Sequence, residues 1–264
     1  AAAAEVSAGG EAEPTAEWLS ALVPGEVSDV IEGELEHMVY LPKSWTAKGG
    51  PYPTILFMHG AGGTAKPDKV RSISLVKMLI DGVVPTSAST NDEFPFVVVI
   101  PVAKTSGWPN QFNEVSGLLE RVSPSLNTDP NRLYLAGQSM GGHGAYEFAA
   151  AHPSLFAAVV PICGFVNRNT CCGTSELAKV SIALSSLPTW AFHSADDAMV
   201  SVEHTDAIVE ALREAGNENV KYTRYDTAPG LPGFGPKGQG HASYELAFME
   251  GELYEWLLLQ TRAE

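Results

Sequence analysis

With 264 residues the chain is long enough for one α/β domain with a large buried core. Its 45% hydrophobic and 18% charged residues exclude wholesale disorder, and no apolar run reaches the length of a membrane span. The formal charge of −15 repels nucleic acid and anionic lipid surfaces, which excludes both as main partners.

Residues 1–17 are mostly Ala, Glu and Gly and read as a mobile tail. They hold no charged-then-apolar signal segment. From residue 18 to residue 264 the pattern is that of a single domain. Short apolar runs rich in β-branched and aromatic residues predict strands over 37–41, 54–58, 96–100, 132–136, 157–162, 189–193 and 220–225. The middle ones are apolar nearly throughout, as in strands buried on both faces. Residues 220–225 alternate, which suits a strand nearer an edge.

Between the strands, helical spacing predicts helices over 69–81, 111–125 (Val115, Leu118, Leu119, Val122), 201–215 (Ile208, Val209, Leu212) and 243–260. The last carries Leu246, Met249, Leu253, Trp256 and Leu257 on one face. Asp129-Pro130-Asn131 predicts a turn before the fourth strand. Residues 164–187 read as a short cap or loop plus one helix. The alternation of strands and helices indicates a mostly parallel central sheet covered by helices on both faces.

The three cysteines, Cys163, Cys171 and Cys172, do not form a disulfide framework. One bridge from Cys163 to either of the adjacent pair, or three reduced thiols, are both open. No C-x-x-C or paired-histidine spacing accompanies them, so no metal site is expected.

Gly137-Gln138-Ser139-Met140-Gly141 stands between a predicted strand and a predicted helix, the setting of a nucleophile elbow. Glycines flank the serine because a Cβ at either place would meet neighbouring backbone. The serine oxygen would then stand above a helix amino terminus, whose free N–H groups favour an anion. A serine hydroxyl needs a base, and that base needs a partner. The acid candidates are Asp196 and Asp197, directly after the strand 189–193. Asp197-Ala198-Met199-Val200 favours Asp197, while a carboxylate here also suits a cap on the helix beginning near Ser201. The base is His241, in the glycine-rich loop before the last helix. His193 precedes the acid and is expected to pack or hydrogen-bond near that turn.

His59-Gly60-Ala61-Gly62-Gly63-Thr64 follows the strand 54–58 and leaves backbone N–H groups free to face a cleft. The N–H groups of Ala61 and Met140 are the candidates for an oxyanion hole, with His59 as a loop anchor. A phosphate cradle is excluded by the absence of a Lys-Ser/Thr pair or G-x-G-x-x-G. Trp108, Phe112 and Phe165 lead off strand ends and are candidates to line a substrate pocket or to pack in core or cap.

Assembled, these residues resemble the α/β-hydrolase superfamily. Within it the chain is similar to the esterases grouped with polyhydroxybutyrate depolymerases, feruloyl esterases and dienelactone-hydrolase-like "predicted peptidases". The stretch from Thr128-Asp129-Pro130-Asn131-Arg132 through Gly137-Gln138-Ser139-Met140-Gly141-Gly142 carries the likeness, continuing to His152-Pro153 and Ile162-Cys163-Gly164. Trp190-Ala191-Phe192-His193, Asp197, Gly240-His241 and Leu253-Tyr254-Glu255-Trp256-Leu257-Leu258 also match, so the resemblance spans roughly residues 35 to 260. It departs at His193-Ser194, where the family usually has His-Gly, and in the long Gly/Pro-rich loop 227–240. The resemblance implies an α/β-hydrolase fold with a short cap, and a serine esterase acting on small-molecule or polymer esters without metal or organic cofactor. A peptidase or amidase with the same triad, and a non-catalytic binding subunit on the same fold, are the alternatives.

Overall fold

The computed structural model describes residues 17–86 and 93–262. The expected tail, apart from Glu17, lies outside the described residues. In chain order the elements are α1 (Glu17–Ser20), β1 (His37–Tyr40), β2 (Tyr52–Met58), a 3-10 turn (Ala61–Gly63), α2 (Pro67–Arg71), α3 (Ser74–Asp81) and β3 (Val97–Pro101). A second 3-10 turn (Trp108–Gln111), α4 (Phe112–Leu126), β4 (Thr128–Gln138), α5 (Met140–Ala151), β5 (Ala158–Ile162), α6 (Ser175–Ala183) and β6 (Thr189–Ser194) follow. The chain closes with α7 (Glu203–Glu214), β7 (Val220–Tyr225), a third 3-10 turn (Gly235–Gly238), α8 (Ser243–Ala247) and α9 (Gly251–Leu258).

The seven strands form one sheet in the order β1-β3-β2-β4-β5-β6-β7, with β1 antiparallel to β3 and all other pairs parallel. Period-2 side-chain alternation divides the core in two. Ile55, Phe57, Val98, Ile100, Tyr134 and Ala136 face one side, where α3, α8 and α9 pack. Leu56, Met58, Val97, Val99, Leu133 and Leu135 face the other, under α4 to α7. Burying each such side chain is worth roughly 1.5–3 kcal/mol, which is why the central strands read as unbroken apolar runs. Edge strand β7 is exposed at Lys221 and Arg224 and half-buried at Val220, Tyr222, Thr223 and Tyr225, so the expected alternation is interrupted at Thr223.

Strand order reverses direction between β2 and β4. In open α/β sheets that switch point, at the carboxyl ends of the strands, is where sites form. The segments leaving β2, β4 and β6 all emerge on this rim because those strands run parallel.

Three expectations are adjusted. The turn at Asp129-Pro130-Asn131 lies within β4, whose pairing with β2 slips between Tyr52↔Thr128 and Thr54↔Leu133. The turn itself is held by Asp129 Oδ1, which accepts the Asn131 N–H at 2.9 Å. The helix predicted over 69–81 is two helices, with Ser74 at positive φ (59°) where the second begins. The helix predicted over 243–260 breaks between Ala247 and Gly251. That break turns Met249 out to solvent and lets Leu253, Tyr254 and Leu257 face the core.

Between β5 and β6 the chain runs through turns to α6, whose first turn is capped by Thr174 Oγ1 accepting the Leu177 N–H at 3.0 Å. All three cysteines are unbridged. Cys163 is buried, and the Sγ atoms of Cys171 and Cys172 lie 2.8 Å apart. Among the described residues no helix is long and apolar enough to cross a membrane.

Candidate active site

Ser139 sits between β4 and α5 with φ 54° and ψ −116°, a backbone state that costs a non-glycine residue on the order of 1–3 kcal/mol. The surroundings hold it there. Its N–H donates to the Ile162 carbonyl at 2.9 Å, and its own carbonyl accepts the His143 N–H at 3.0 Å. A Cβ on Gly137 would lie 2.1 Å from the Gly141 carbonyl oxygen, and one on Gly141 would lie 1.9 Å from the Met58 carbonyl oxygen. The elbow therefore closes only with glycine on both sides of the serine.

His241 is carried to this point by the loop 227–240. Gly240, at φ 69°, passes so close to Asp196 that a Cβ would stand 2.3 Å from the carboxylate. Gln239 accepts the Ala198 N–H at 2.9 Å through its carbonyl, and the Pro229 carbonyl accepts the Ala242 N–H at 2.9 Å. So anchored, His241 places Nε2 2.9 Å from Ser139 Oγ and Nδ1 2.8 Å from Asp197 Oδ2. A carboxylate only accepts, so Nδ1 carries the proton and Nε2 accepts from the serine hydroxyl.

Asp197 is bonded at both oxygens. Oδ1 accepts the N–H groups of Met199 (2.8 Å) and Val200 (2.9 Å), so this residue also shapes the turn before α7. Oδ2 accepts from His241 and, at 3.2 Å, from Nε2 of His193. The His193 tautomer follows from its neighbours. Nε2 also lies 3.0 Å from the Val200 carbonyl, which can only accept, and Nδ1 takes the Thr205 hydroxyl proton at 2.7 Å. Burial alone would raise the Asp197 pKa; the hydrogen bonds from His193 and His241 and the turn amides outweigh it and hold the carboxyl well below the usual range. Asp196 has a different task. Its Oδ1 accepts from the Ser194 hydroxyl and from the Ala228 N–H, tying the acid loop to the histidine loop.

Cys163 Sγ, an Asp197 oxygen and a His241 nitrogen lie within 4.8 Å of one another. A metal would need thiolate and bare imidazole nitrogen. Burial, with the Asp197 charge beside it, pushes the Cys163 thiol up, and Nδ1 is already donating to Asp197. The donor set therefore fits proton transfer and does not fit a cation.

The loop after β2 runs beside the serine. A Cβ on Gly60 would lie 3.6 Å from both Ser139 Cβ and the Gln138 carbonyl oxygen. Ala61 opens its 3-10 turn and Met140 opens α5, positions whose N–H groups find no partner one turn back.

Trp108 is a core residue. It is fully buried, donates Nε1–H to the His59 carbonyl at 3.0 Å and packs on Gly144. Phe165 stacks on the His143 ring at 4.7 Å, with Arg168 5.8 Å from its centre. Phe112 packs on Phe148 at 4.7 Å, joining α4 to α5.

Residues 28–213 match the family model described as "Putative esterase". The chain belongs to this esterase family. The match contains Ser139 and Asp197 and ends before His241. No curated protein matches the sequence. Among solved structures, this chain is similar to a thermostable esterase at 25% identity and TM-score 0.67, over 89% of this chain and 62% of that one. It therefore spans about three fifths of that protein's length. It is also similar to a ferulic acid esterase (15%, TM-score 0.60, covering 89% of this chain and 98% of that one). A fluorophosphonate-binding serine hydrolase of Staphylococcus aureus resembles it as well (13%, TM-score 0.61, covering 88% and 99%). The sheet and these likenesses make the fold that of an α/β-hydrolase.

Proposed function

We propose that this esterase hydrolyses carboxylic esters through an acyl-enzyme formed on Ser139. The observation that carries the reading is the hydrogen-bonded line from Ser139 Oγ to His241 Nε2 and from His241 Nδ1 to Asp197, at 2.9 and 2.8 Å. In the first half-reaction Ser139 Oγ attacks the carbonyl carbon while His241 Nε2 takes the hydroxyl proton. Asp197 keeps the ring in the right tautomer and stabilises the imidazolium. The carbonyl oxygen becomes an oxyanion held by the N–H groups of Ala61 and Met140. His241 then gives its proton to the leaving alcohol as the C–O bond breaks. In the second half a water attacks the acyl-enzyme, His241 takes its proton, and the acid leaves as Ser139 regains its hydrogen.

The experiment is labelling of the purified protein with a fluorophosphonate, alongside hydrolysis of p-nitrophenyl acetate. One adduct on Ser139 and ester turnover are expected. Ser139→Ala should lose the adduct and, at unchanged melting temperature, on the order of 10⁶ in turnover. An adduct that survives in Ser139→Ala, or a wild type that takes no label, overturns the reading.

A further inference from the structure

We propose that His59 is a positioning residue of the oxyanion hole: its Nδ1–H holds the Gly60 carbonyl, which aims the Ala61 N–H of the same peptide at the oxygen of the tetrahedral intermediate. This rests on the esterase reading above and adds a residue to it.

The tautomer of His59 is set by its surroundings. Nε2 accepts the Ala103 N–H at 3.0 Å, so that nitrogen is bare and the proton is on Nδ1. Nδ1 lies 2.7 Å from the Gly60 carbonyl oxygen and donates to it. The same oxygen accepts the Gly63 N–H at 3.1 Å. With two donors on one oxygen the Gly60–Ala61 peptide has little freedom to rotate. A trans peptide carries its C=O and N–H on opposite sides of one plane, so fixing the Gly60 oxygen towards His59 turns the Ala61 N–H the other way. Gly60 is also the loop residue that passes beside Ser139 Cβ.

The ring is itself held. It is fully buried, meets Trp108 edge to face at 5.1 Å, and its own carbonyl accepts the Trp108 Nε1–H at 3.0 Å. Gly63 leaves room for it, since a Cβ there would lie 2.6 Å from Nδ1. Burial pushes the His59 pKa down to about 4, against the smaller opposing effect of its bond to Gly60, so the neutral ring persists at neutral pH. Oxyanion stabilisation depends on donors that are oriented before the reaction begins. In this chain the preorganising contact comes from the first residue of the glycine-rich segment, and Trp108 braces that residue from behind.

Three variants separate the two hydrogen bonds of the ring. His59→Asn can place an amide N–H where Nδ1 stood and keeps the Gly60 bond. His59→Gln reaches the Nε2 position and keeps an acceptor for Ala103. His59→Leu keeps neither. Turnover of p-nitrophenyl acetate by the folded variants is expected to fall about 10- to 100-fold in kcat for Leu and Gln, with KM changed less than about threefold. The loss is smaller than the 10²–10³ of a deleted donor because the amide is misaimed and not absent. His59→Asn should stay within about fivefold of wild type. A folded His59→Leu within about twofold of wild type overturns the proposal, as does an Asn variant no better than Leu. The second measurement needs no variant. ¹⁵N chemical shifts of the wild-type imidazole should show a protonated Nδ1 and a bare Nε2, and a proton on Nε2 overturns it. Failure of the underlying reading is told apart by the wild type, which would then neither take the fluorophosphonate nor turn over the ester.

Discussion

His193 and His241 donate to the same carboxylate oxygen, Oδ2 of Asp197, from 3.2 and 2.8 Å. The acid is thus fixed by a second, wholly buried ring from the end of its own strand. His193→Leu would leave the Val200 carbonyl and the Thr205 hydroxyl without this partner, at about 1–3 kcal/mol for each group left unsatisfied. We expect a lower melting temperature and a kcat reduced about tenfold. His193→Gln, whose amide reaches the Nε2 position, should recover most of both. Parallel thermal melts and ester kinetics check this, and equal losses in Leu and Gln would contradict it.

Asp197 supports both the turn and the imidazole, and its two oxygens let these be separated. Asp197→Asn can still accept the Met199 and Val200 N–H groups on one atom, but presents N–H₂ to His241 Nδ1–H and so favours the wrong tautomer. Turnover should fall about 10⁴-fold at pH 7 with only a modest change in melting temperature, whereas Asp197→Ala should lose both.

The same carboxyl predicts an acid limit. Its pKa is held below the unfolded value of about 3.9. The unfolded chain therefore binds the proton first, and the stabilisation is whole above about pH 4 and is lost as pH falls towards the folded value. The difference in melting temperature between wild type and Asp197→Ala should be constant from pH 7 to 5 and narrow below 4.

His59 gives a second pH window with the same sign. In the unfolded chain it protonates near 6.5, and in the fold near 4. Between these values the unfolded state holds more protons, so stability is whole above 6.5 and falls by on the order of 3 kcal/mol as pH drops towards 4. His37 and His143, also lowered mainly by burial, slope the same way. A flatter melting profile for His59→Asn than for wild type between pH 7 and 4.5 isolates the His59 share; identical slopes would refute it.

Two glycines near the site, Gly141 and Gly62, make a steric test. Gly141→Ala puts a methyl 1.9 Å from the Met58 carbonyl oxygen, a backbone clash that neither side can relieve. Loss of soluble folded protein, or a penalty above about 4 kcal/mol, is expected. Gly62 has nothing within 4 Å of its would-be Cβ, and Gly62→Ala should change stability by no more than about 0.5 kcal/mol. Urea melts of the two variants read the contrast.

Most strands were legible because both faces of the central ones are buried, which demands unbroken apolar runs such as Val97-Val98-Val99-Ile100. Helix ends were less so. The predicted helix over 243–260 carries only one local sign of its break, Gly251. Met249 has the right spacing for a core position, and only the packing of α8 and α9 on the sheet turns it outward. Ser139 was readable because its backbone state forces glycines around it. His193, in contrast, was placed near the acid turn but not on the acid itself, since one strand-end histidine looks much like another until Val200 and Thr205 close around it. Trp108 is ambiguous in the sequence for the same reason. An aromatic after a strand end can face a cleft or a neighbouring loop, and here it is the His59 carbonyl that claims its N–H.

By itself the order of residues determined the parallel sheet, the glycine-locked serine turn and the order serine, acid, histidine, because local sterics and burial periodicity act over a few positions and leave marks in the chain. Tertiary structure alone decided that His193 also reaches the Asp197 carboxylate and which way the Gly60–Ala61 peptide faces. Even the short-range bonds, His193 to Asp197 and His59 to Gly60, take their direction from partners that only the fold supplies, Thr205 at one ring and Ala103, 44 positions away, at the other.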